Sequence, residues 1–312
     1  MIKDALFHAK ILLFGEYGII QDSMGLSIPY KAYRGELTFK ESVDGKDVWS
    51  NEQLRNYLVY LKELQEKKEL LLSLDLDSMK LDIENGMVFD STIPNGYGVG
   101  SSGALVAAIY DKYAHEAIVP EDDLNKTELL ELKEGLAQME SHFHGKSSGI
   151  DPLICYMKLP ILIKSKDELG TIGLPQEGKG EGAIFLINSG QPGETQNMVN
   201  IFMERMKQEG FRNMVRKEFT KYNDECISAF LDGETQPFFE SLKGLSDLVL
   251  KHFSPMIPMP LRNFWLKGLN TDDYYLKLCG SGGGGYVLGF TQNLEQAKKQ
   301  LKGKDLEVIY RF

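Results

Sequence analysis

Residues Pro94 to Ala104 read Pro-Asn-Gly-Tyr-Gly-Val-Gly-Ser-Ser-Gly-Ala and run directly into Leu105-Val106-Ala107-Ala108-Ile109-Tyr110. A glycine-rich loop with two hydroxyls that opens an apolar helix suits phosphate. The first-turn N–H groups of a helix lack intrahelical partners, and the macrodipole is positive there. Gly96, Gly98, Gly100 and Gly103 let the backbone come close to an anion. Three other stretches carry groups of interest. Lys10 precedes the apolar run Ile11-Leu12-Leu13-Phe14 and the turn Gly15-Glu16-Tyr17-Gly18. Glu140 to Asp151 (Glu-Ser-His-Phe-His-Gly-Lys-Ser-Ser-Gly-Ile-Asp) sets one carboxylate at a helix end and another after a Gly/Ser loop. Lys277-Leu278-Cys279-Gly280-Ser281-Gly282-Gly283-Gly284-Gly285-Tyr286 places four consecutive glycines between two strands, a conformational cost that a close backbone approach would offset. Taken singly, a lysine at a strand start and helix-terminal carboxylates are ordinary solvated groups. His142 and His144, two apart, cannot both ligate a metal from one helix face.

Better-known phosphate loops do not fit. Gly98-x-Gly100-x-x-Gly103 and Gly280-x-Gly282-x-x-Gly285 both match the dinucleotide fingerprint in form. That fingerprint follows its strand directly, near the start of a βαβ unit. Here Pro94-Asn95-Gly96 intervenes in the first match, and the second lies near the end of the chain. Gly145-Lys146-Ser147 resembles the end of a Walker A loop, but its first glycine position is occupied by Glu140. Neither His-Arg-Asp nor Asp-Phe-Gly occurs, which removes the protein-kinase signature.

The elements that must position these groups follow from periodicity and turn signals. Residues 6–40 read as strands and turns, with Tyr33 to Phe39 a second edge. Glu52 to Leu72 reads as a helix on the spacing of Leu54, Leu58, Leu61, Leu64 and Leu71. Leu81-Asp82-Ile83 and Met87-Val88-Phe89 around Asn85-Gly86 are expected to form a hairpin, because Asn-Gly suits a type I′ turn. Thr127 to Phe143 reads as a helix with a threonine cap, and Leu153 to Lys164 as a strand. Beyond a glycine-rich stretch at 173–182, a second unit begins with Ala183-Ile184-Phe185-Leu186-Ile187. It continues through helices at about 195–208, 213–231, 236–252 and from 260. It ends strand, loop, strand, helix, strand. We place the boundary near 182, giving domains 1–182 and 183–312.

Composition bounds the function. With 312 residues, 42% hydrophobic and 26% charged, the chain is that of a globular protein with room for two domains. A formal charge of -10 and no long Lys/Arg block argue against nucleic-acid or anionic-membrane partners. A bound polyanion would need local groups and a metal. No membrane-spanning stretch or signal-peptide core is evident, so a cytoplasmic protein is expected. Cys155, Cys226 and Cys279 form no C-x-x-C pair, so neither a disulfide framework nor a zinc site is indicated.

Taken together, the segments resemble the GHMP small-molecule kinases. The likeness runs over roughly residues 5–290. It rests on Lys10 before Gly15-Glu16, Pro94-x-x-x-Gly98-Val99-Gly100-Ser101-Ser102-Gly103-Ala104, and Lys277-Leu278-x-Gly280-Ser281-Gly282-Gly283-Gly284-Gly285. Within the family, His144-Gly145-x-x-Ser148-Gly149-Ile150-Asp151, with Glu140 eleven positions before the aspartate, is most like the mevalonate kinases. Tyr17, where those enzymes usually have His, and Pro152, where Asn is common, depart from the pattern.

The resemblance implies a two-domain α+β fold. Its N-terminal, ATP-binding β/α domain has a left-handed βαβ crossover, and its C-terminal domain is a ferredoxin-like α/β domain. It implies ATP and Mg²⁺ as cofactors and a small alcohol as acceptor, mevalonate first, in a monomer or homodimer. Asp151 and Lys10 are the implied catalytic pair, and Ser102 with Glu140 the metal ligands. Pro94, Gly96, Gly98, Val99, Gly100, Ser101, Ser102, Gly103, Ala104, Gly282 and Gly283 would contact nucleotide. His144, Ser148 and Thr195 would line the acceptor pocket. A phosphomevalonate or sugar kinase, a diphosphomevalonate decarboxylase and a silent nucleotide sensor remain as alternatives.

Overall fold

The computed structural model describes residues 6–120, 124–193 and 195–312, with the side chains of His144 and Thr195 outside that description. The chain divides into two compact units. The first comprises residues up to Lys10, 28–94 and 100–159; the second comprises 11–27, 95–99 and 160–312. Strands β1 (Phe7–Phe14) and β2 (Gly25–Phe39) contribute residues to both.

In the first unit, α1 (Lys46–Glu66) buries Leu54, Tyr57, Leu58 and Leu61. The helix ends before Leu71, which is exposed. The expected hairpin at Asn85-Gly86 does not form. Leu81 to Ile83 belong to α2 (Leu76–Glu84), and only Met87 onward is strand, β3 (Met87–Ser91), antiparallel to β2. Asn85 is the C-cap of α2 and Gly86 follows at φ 87°, so the dipeptide ends a helix and turns no hairpin. Buried Asn51 on α1 fixes this corner by donating to the carbonyls of Ile83 (3.0 Å) and Met87 (2.7 Å).

The next helix, α3 (Ser101–Tyr113), is buried from Gly103 through Tyr110, as a stretch that is apolar on every side must be. Helix α4 (Lys126–His144) starts one residue before the expected Thr127. Its cap is Asn125, in a reciprocal capping box with Glu128. Leu153 to Met157, expected as strand, lie in α5 (Ile150–Met157). Nearly every residue of α5 is buried, and a short apolar run carries no period that separates strand from helix.

In the second unit, β4 (Ile161–Ser165) pairs antiparallel with the first residues of β2 and with β5 (Glu168–Thr171). A separate four-stranded antiparallel sheet has the order β7-β8-β6-β9, from β6 (Ala183–Asn188), β7 (Tyr275–Leu278), β8 (Tyr286–Thr291) and β9 (Leu306–Arg311). Helices α6 (Thr195–Met206), α7 (Glu209–Met214), α8 (Thr220–Asp232), α9 (Thr235–His252) and α10 (Arg262–Thr271) separate β6 from β7, and α11 (Leu294–Gln300) separates β8 from β9. A π-helical turn at Val215–Phe219 joins α7 to α8. Strand, helices, two strands, helix and strand in this sheet order make the ferredoxin-like arrangement.

The core of this unit is aromatic: Tyr17 stacks on Phe202 with ring centroids 4.5 Å apart, and Phe14 packs on Phe238 and Phe290. Fully buried Trp265 donates from its indole to the Oγ of Ser246 at 2.9 Å. Lys277 and Glu16 form a buried ion pair, and Lys277 also donates to the carbonyl of Leu278 at 3.0 Å.

Candidate active site

The groups able to do chemistry gather in the first unit, where α3, α4, α5 and the first half of β1 converge. Gly103 permits the closest approach. A Cβ there would lie 2.8 Å from the carbonyl carbon of Asp151 and 2.9 Å from the nitrogen of Pro152. Two helices therefore touch backbone to backbone, and the first turn of α3 lies against the first turn of α5. Gly100 caps α3 at φ 80°, with the aliphatic stem of Lys10 against it.

Asp151 is the second residue of α5, where a helix favours negative charge. Pro152 is tolerated there because first-turn N–H groups have no helical partner in any case. The Nζ of Lys10 is 2.8 Å from Asp151 Oδ1. Lys10 is 3% exposed and Asp151 34%, so the cation is enclosed while its carboxylate reaches solvent.

Beside this pair stands a second carboxylate. Glu140, in the last turns of α4, is buried. Ser102 donates to its Oε1 at 2.9 Å, and Ser147 donates to its Oε2. Burial, and then the negative charge of Asp151, push the Glu140 carboxyl up to about 7, although Ser147, Ser102 and Lys10 all pull the other way. A carboxylate so placed gains from a cation. Among the described residues no group of three or more His, Cys, Asp or Glu side chains gathers for a metal ion. One carboxylate and one hydroxyl do suit Mg²⁺, which takes few protein ligands beside phosphate oxygens and water.

The remaining expected residues fall as follows. Ser101 opens α3 half-buried, and Ala104 is buried one turn in. Ser148 is exposed in the turn before Gly149. His144 ends α4 and Thr195 begins α6, their side chains outside the described residues. Pro94 ends its stretch of the first unit, and the loop segment 95–99 belongs to the second.

In the second unit that segment lies on the terminal glycine loop. A Cβ on Gly98, at φ 77°, would come within 2.4 Å of the Cys279 carbonyl oxygen, so only glycine fits. Gly96 accepts from the N–H of Gly193 at 2.7 Å, and Val99 is fully buried. Gly282 and Gly283 face Met256 and Met198, with the Gly283 N–H donating to Met256 O at 2.6 Å.

Two residues near Glu140 carried no role in the sequence reading. Ser147 stands seven positions after it, a spacing that announces nothing. Tyr57, on α1, is fully buried, and its hydroxyl has no hydrogen-bond partner among the described residues; burial and the charge of Glu140 raise its pKa. Its position in the apolar stripe of α1 marks it only as core.

Residues 57–158, which include α3, Glu140 and Asp151, match the model of the GHMP kinases N-terminal domain. Over these residues the chain is similar to the N-terminal domain of the GHMP kinases. Solved structures agree over nearly the whole length. The L. major mevalonate kinase in complex with R-mevalonate is 17% identical, with a TM-score of 0.62 over 98% of this chain and 95% of that one. The Methanococcus jannaschii mevalonate kinase is 19% identical, TM-score 0.62, over 99% and 98%. A Streptococcus pneumoniae phosphomevalonate kinase in complex with phosphomevalonate and AMPPNP is 14% identical, TM-score 0.64, over 98% and 99%. Compared by sequence with curated proteins, the chain matches none. The likeness to the solved GHMP kinases is thus one of fold, and no helix among the described residues is long and apolar enough to cross a membrane.

Proposed function

We propose that the protein transfers the γ-phosphoryl group of ATP to the hydroxyl of a small alcohol, with mevalonate as acceptor and 5-phosphomevalonate and ADP as products. The observation that carries this reading is the Lys10–Asp151 pair beside the Ser102–Glu140 pair, at the N-terminus of a helix opened by a glycine loop. Phosphoryl transfer asks a protein chiefly for alignment and charge stabilisation, and these residues supply both.

Asp151, reachable from solvent, would align the acceptor hydroxyl and take its proton as the bond to phosphorus forms. Lys10 orients the Asp151 carboxylate and offers positive charge to the transferring group. Backbone N–H groups at the start of α3 would receive phosphate oxygens. Mg²⁺ would neutralise charge on the β- and γ-phosphates, and Ser102 and Glu140 are the residues that would hold it. Ser148 and His144 precede Asp151 in sequence and are proposed to contact the acceptor, with Thr195 as a further contact.

Mevalonate is favoured over other acceptors by the Ser148-Gly149-Ile150-Asp151 segment and by the mevalonate kinases among the similar folds. Coupled ADP release with mevalonate, phosphomevalonate, homoserine and galactose in parallel tests it. Mevalonate is expected to give the largest kcat/KM. A larger value for another acceptor reassigns the substrate and leaves the kinase reading standing. CO₂ release from diphosphomevalonate would identify a decarboxylase.

A further inference from the structure

We propose that Ser147 is a positioning residue, holding the Glu140 carboxylate in place for the cation and tying it to the turn that carries Asp151. This rests on the kinase reading above. Ser147 sits half-buried in the turn between α4 and α5. A serine hydroxyl has one proton and two lone pairs. The Ser147 oxygen accepts the N–H of Gly149 at 3.0 Å, and the Ser147 backbone N–H donates to Ser141 Oγ at 3.2 Å. The Ser141 hydroxyl in turn donates to the carbonyl of Ala137 at 2.7 Å, which anchors the turn on α4. With its backbone and one lone pair engaged, Ser147 turns its only hydroxyl proton to Glu140 Oε2.

Glu140 is therefore held by two hydroxyls from two different elements, Ser102 on Oε1 and Ser147 on Oε2. The two divide the work. Ser102, in the first turn of α3, would share the cation, whereas Ser147 is committed to the turn and acts only through Glu140. A carboxylate held by one hydroxyl alone keeps a rotation that the second removes. Gly149, which donates to Ser147, is also the N-cap of α5, two residues before Asp151. One hydroxyl thereby links the Glu140 carboxylate to the backbone that leads into Asp151.

The test uses the full chain as wild type, Ser147→Ala, Ser147→Thr and Glu140→Gln. Mn²⁺ serves as a paramagnetic substitute for Mg²⁺, and its binding with a non-hydrolysable ATP analogue is read by electron paramagnetic resonance, alongside steady-state rates against Mg²⁺ concentration. Removing the outer partner of a metal ligand typically costs about 10–100-fold in affinity or activity. Ser147→Ala is expected to weaken Mn²⁺ binding by roughly tenfold or more, and to raise the Mg²⁺ needed for half-maximal rate in parallel, at a nearly unchanged melting temperature. Ser147→Thr, which keeps the hydroxyl, should restore both. Wild-type Mn²⁺ affinity in Ser147→Ala beside a weakened Glu140→Gln overturns the positioning role and spares the kinase reading. Wild-type affinity in Glu140→Gln as well removes the cation site itself, and both fall. If Ser147→Ala does not fold, Ser147→Cys, nearly isosteric but a weak donor, should bind Mn²⁺ less tightly than wild type. An unchanged affinity there overturns the proposal.

Discussion

Each unit contains a buried lysine paired with a carboxylate, and the two pairs differ in their access to solvent. The Lys10 and Lys277 side chains are 3% and 4% exposed, but that of Asp151, the partner of Lys10, is 34% exposed, whereas that of Glu16, the partner of Lys277, is 7% exposed. An enclosed pair contributes order and meets no substrate. An open carboxylate backed by an enclosed cation can meet a hydroxyl. A lysine–carboxylate pair is thus closed in one unit and open in the other, and access to solvent separates a role in packing from the chemistry proposed for Asp151.

The largest effect should come from Asp151→Asn, which keeps the shape but accepts no proton. A positioned base contributes about 10²–10⁴-fold to rate, so single-turnover rates should fall by that factor while ATP affinity and melting temperature stay close to wild type. Lys10→Met should also slow turnover, and the double variant should lose less than the product of the two losses, since residues acting as a unit are non-additive. A rate within a few-fold of wild type, with a lowered melting temperature, would make this pair structural like the other and erase the comparison.

Glu16→Gln should show the reverse balance. Breaking a buried pair by removing one charge costs about 3–5 kcal/mol of stability, which denaturant titration would read as a lower midpoint. Replacing both partners, Glu16→Leu with Lys277→Met, should recover much of that loss, because apolar groups of similar volume need no counter-charge. A double variant no better than Glu16→Gln would show that the pair does more than satisfy itself.

The close approaches at the glycine loop before α3 and at the terminal glycines were legible, because glycine marks places where only backbone fits: Gly98 does meet the Cys279 carbonyl, and Gly103 meets Asp151. Asp151 was found as a residue but set before a strand, since Ile150 to Met157 is buried on every side and its pattern carries no period. Asn85-Gly86 misled because the same dipeptide ends a helix as readily as it turns a hairpin. Ser147 left no trace, as a hydroxyl bond to a residue seven positions back depends on the path of the turn.

The smallest effect concerns Glu140 and refines the view of the open region. Its carboxyl is pushed up to about 7 in the folded chain against 4.5 unfolded. Between those values the folded chain holds a proton that the unfolded chain has released. The contribution to stability is therefore present below pH 4.5 and lost as pH rises through 7. Melting temperatures of nucleotide-free protein across this range should slope downward more in wild type than in Glu140→Gln. Cation binding should release protons near neutrality, measurable by calorimetry in buffers of different ionisation enthalpy. Equal slopes in the two proteins would detach Glu140 from the titration.

The chain has two tryptophans, and they stand in different surroundings. Trp265 lies dry in the second unit with its indole hydrogen-bonded to Ser246, whereas Trp49, on α1 of the first, is 57% exposed. Intrinsic fluorescence is thus a one-sided reporter. Its red shift on denaturation comes almost wholly from Trp265, while far-ultraviolet dichroism sums the helices of both units. Overlaying the two signals in a single melt therefore asks whether the chain comes apart in one step or two, with no label attached and no residue changed.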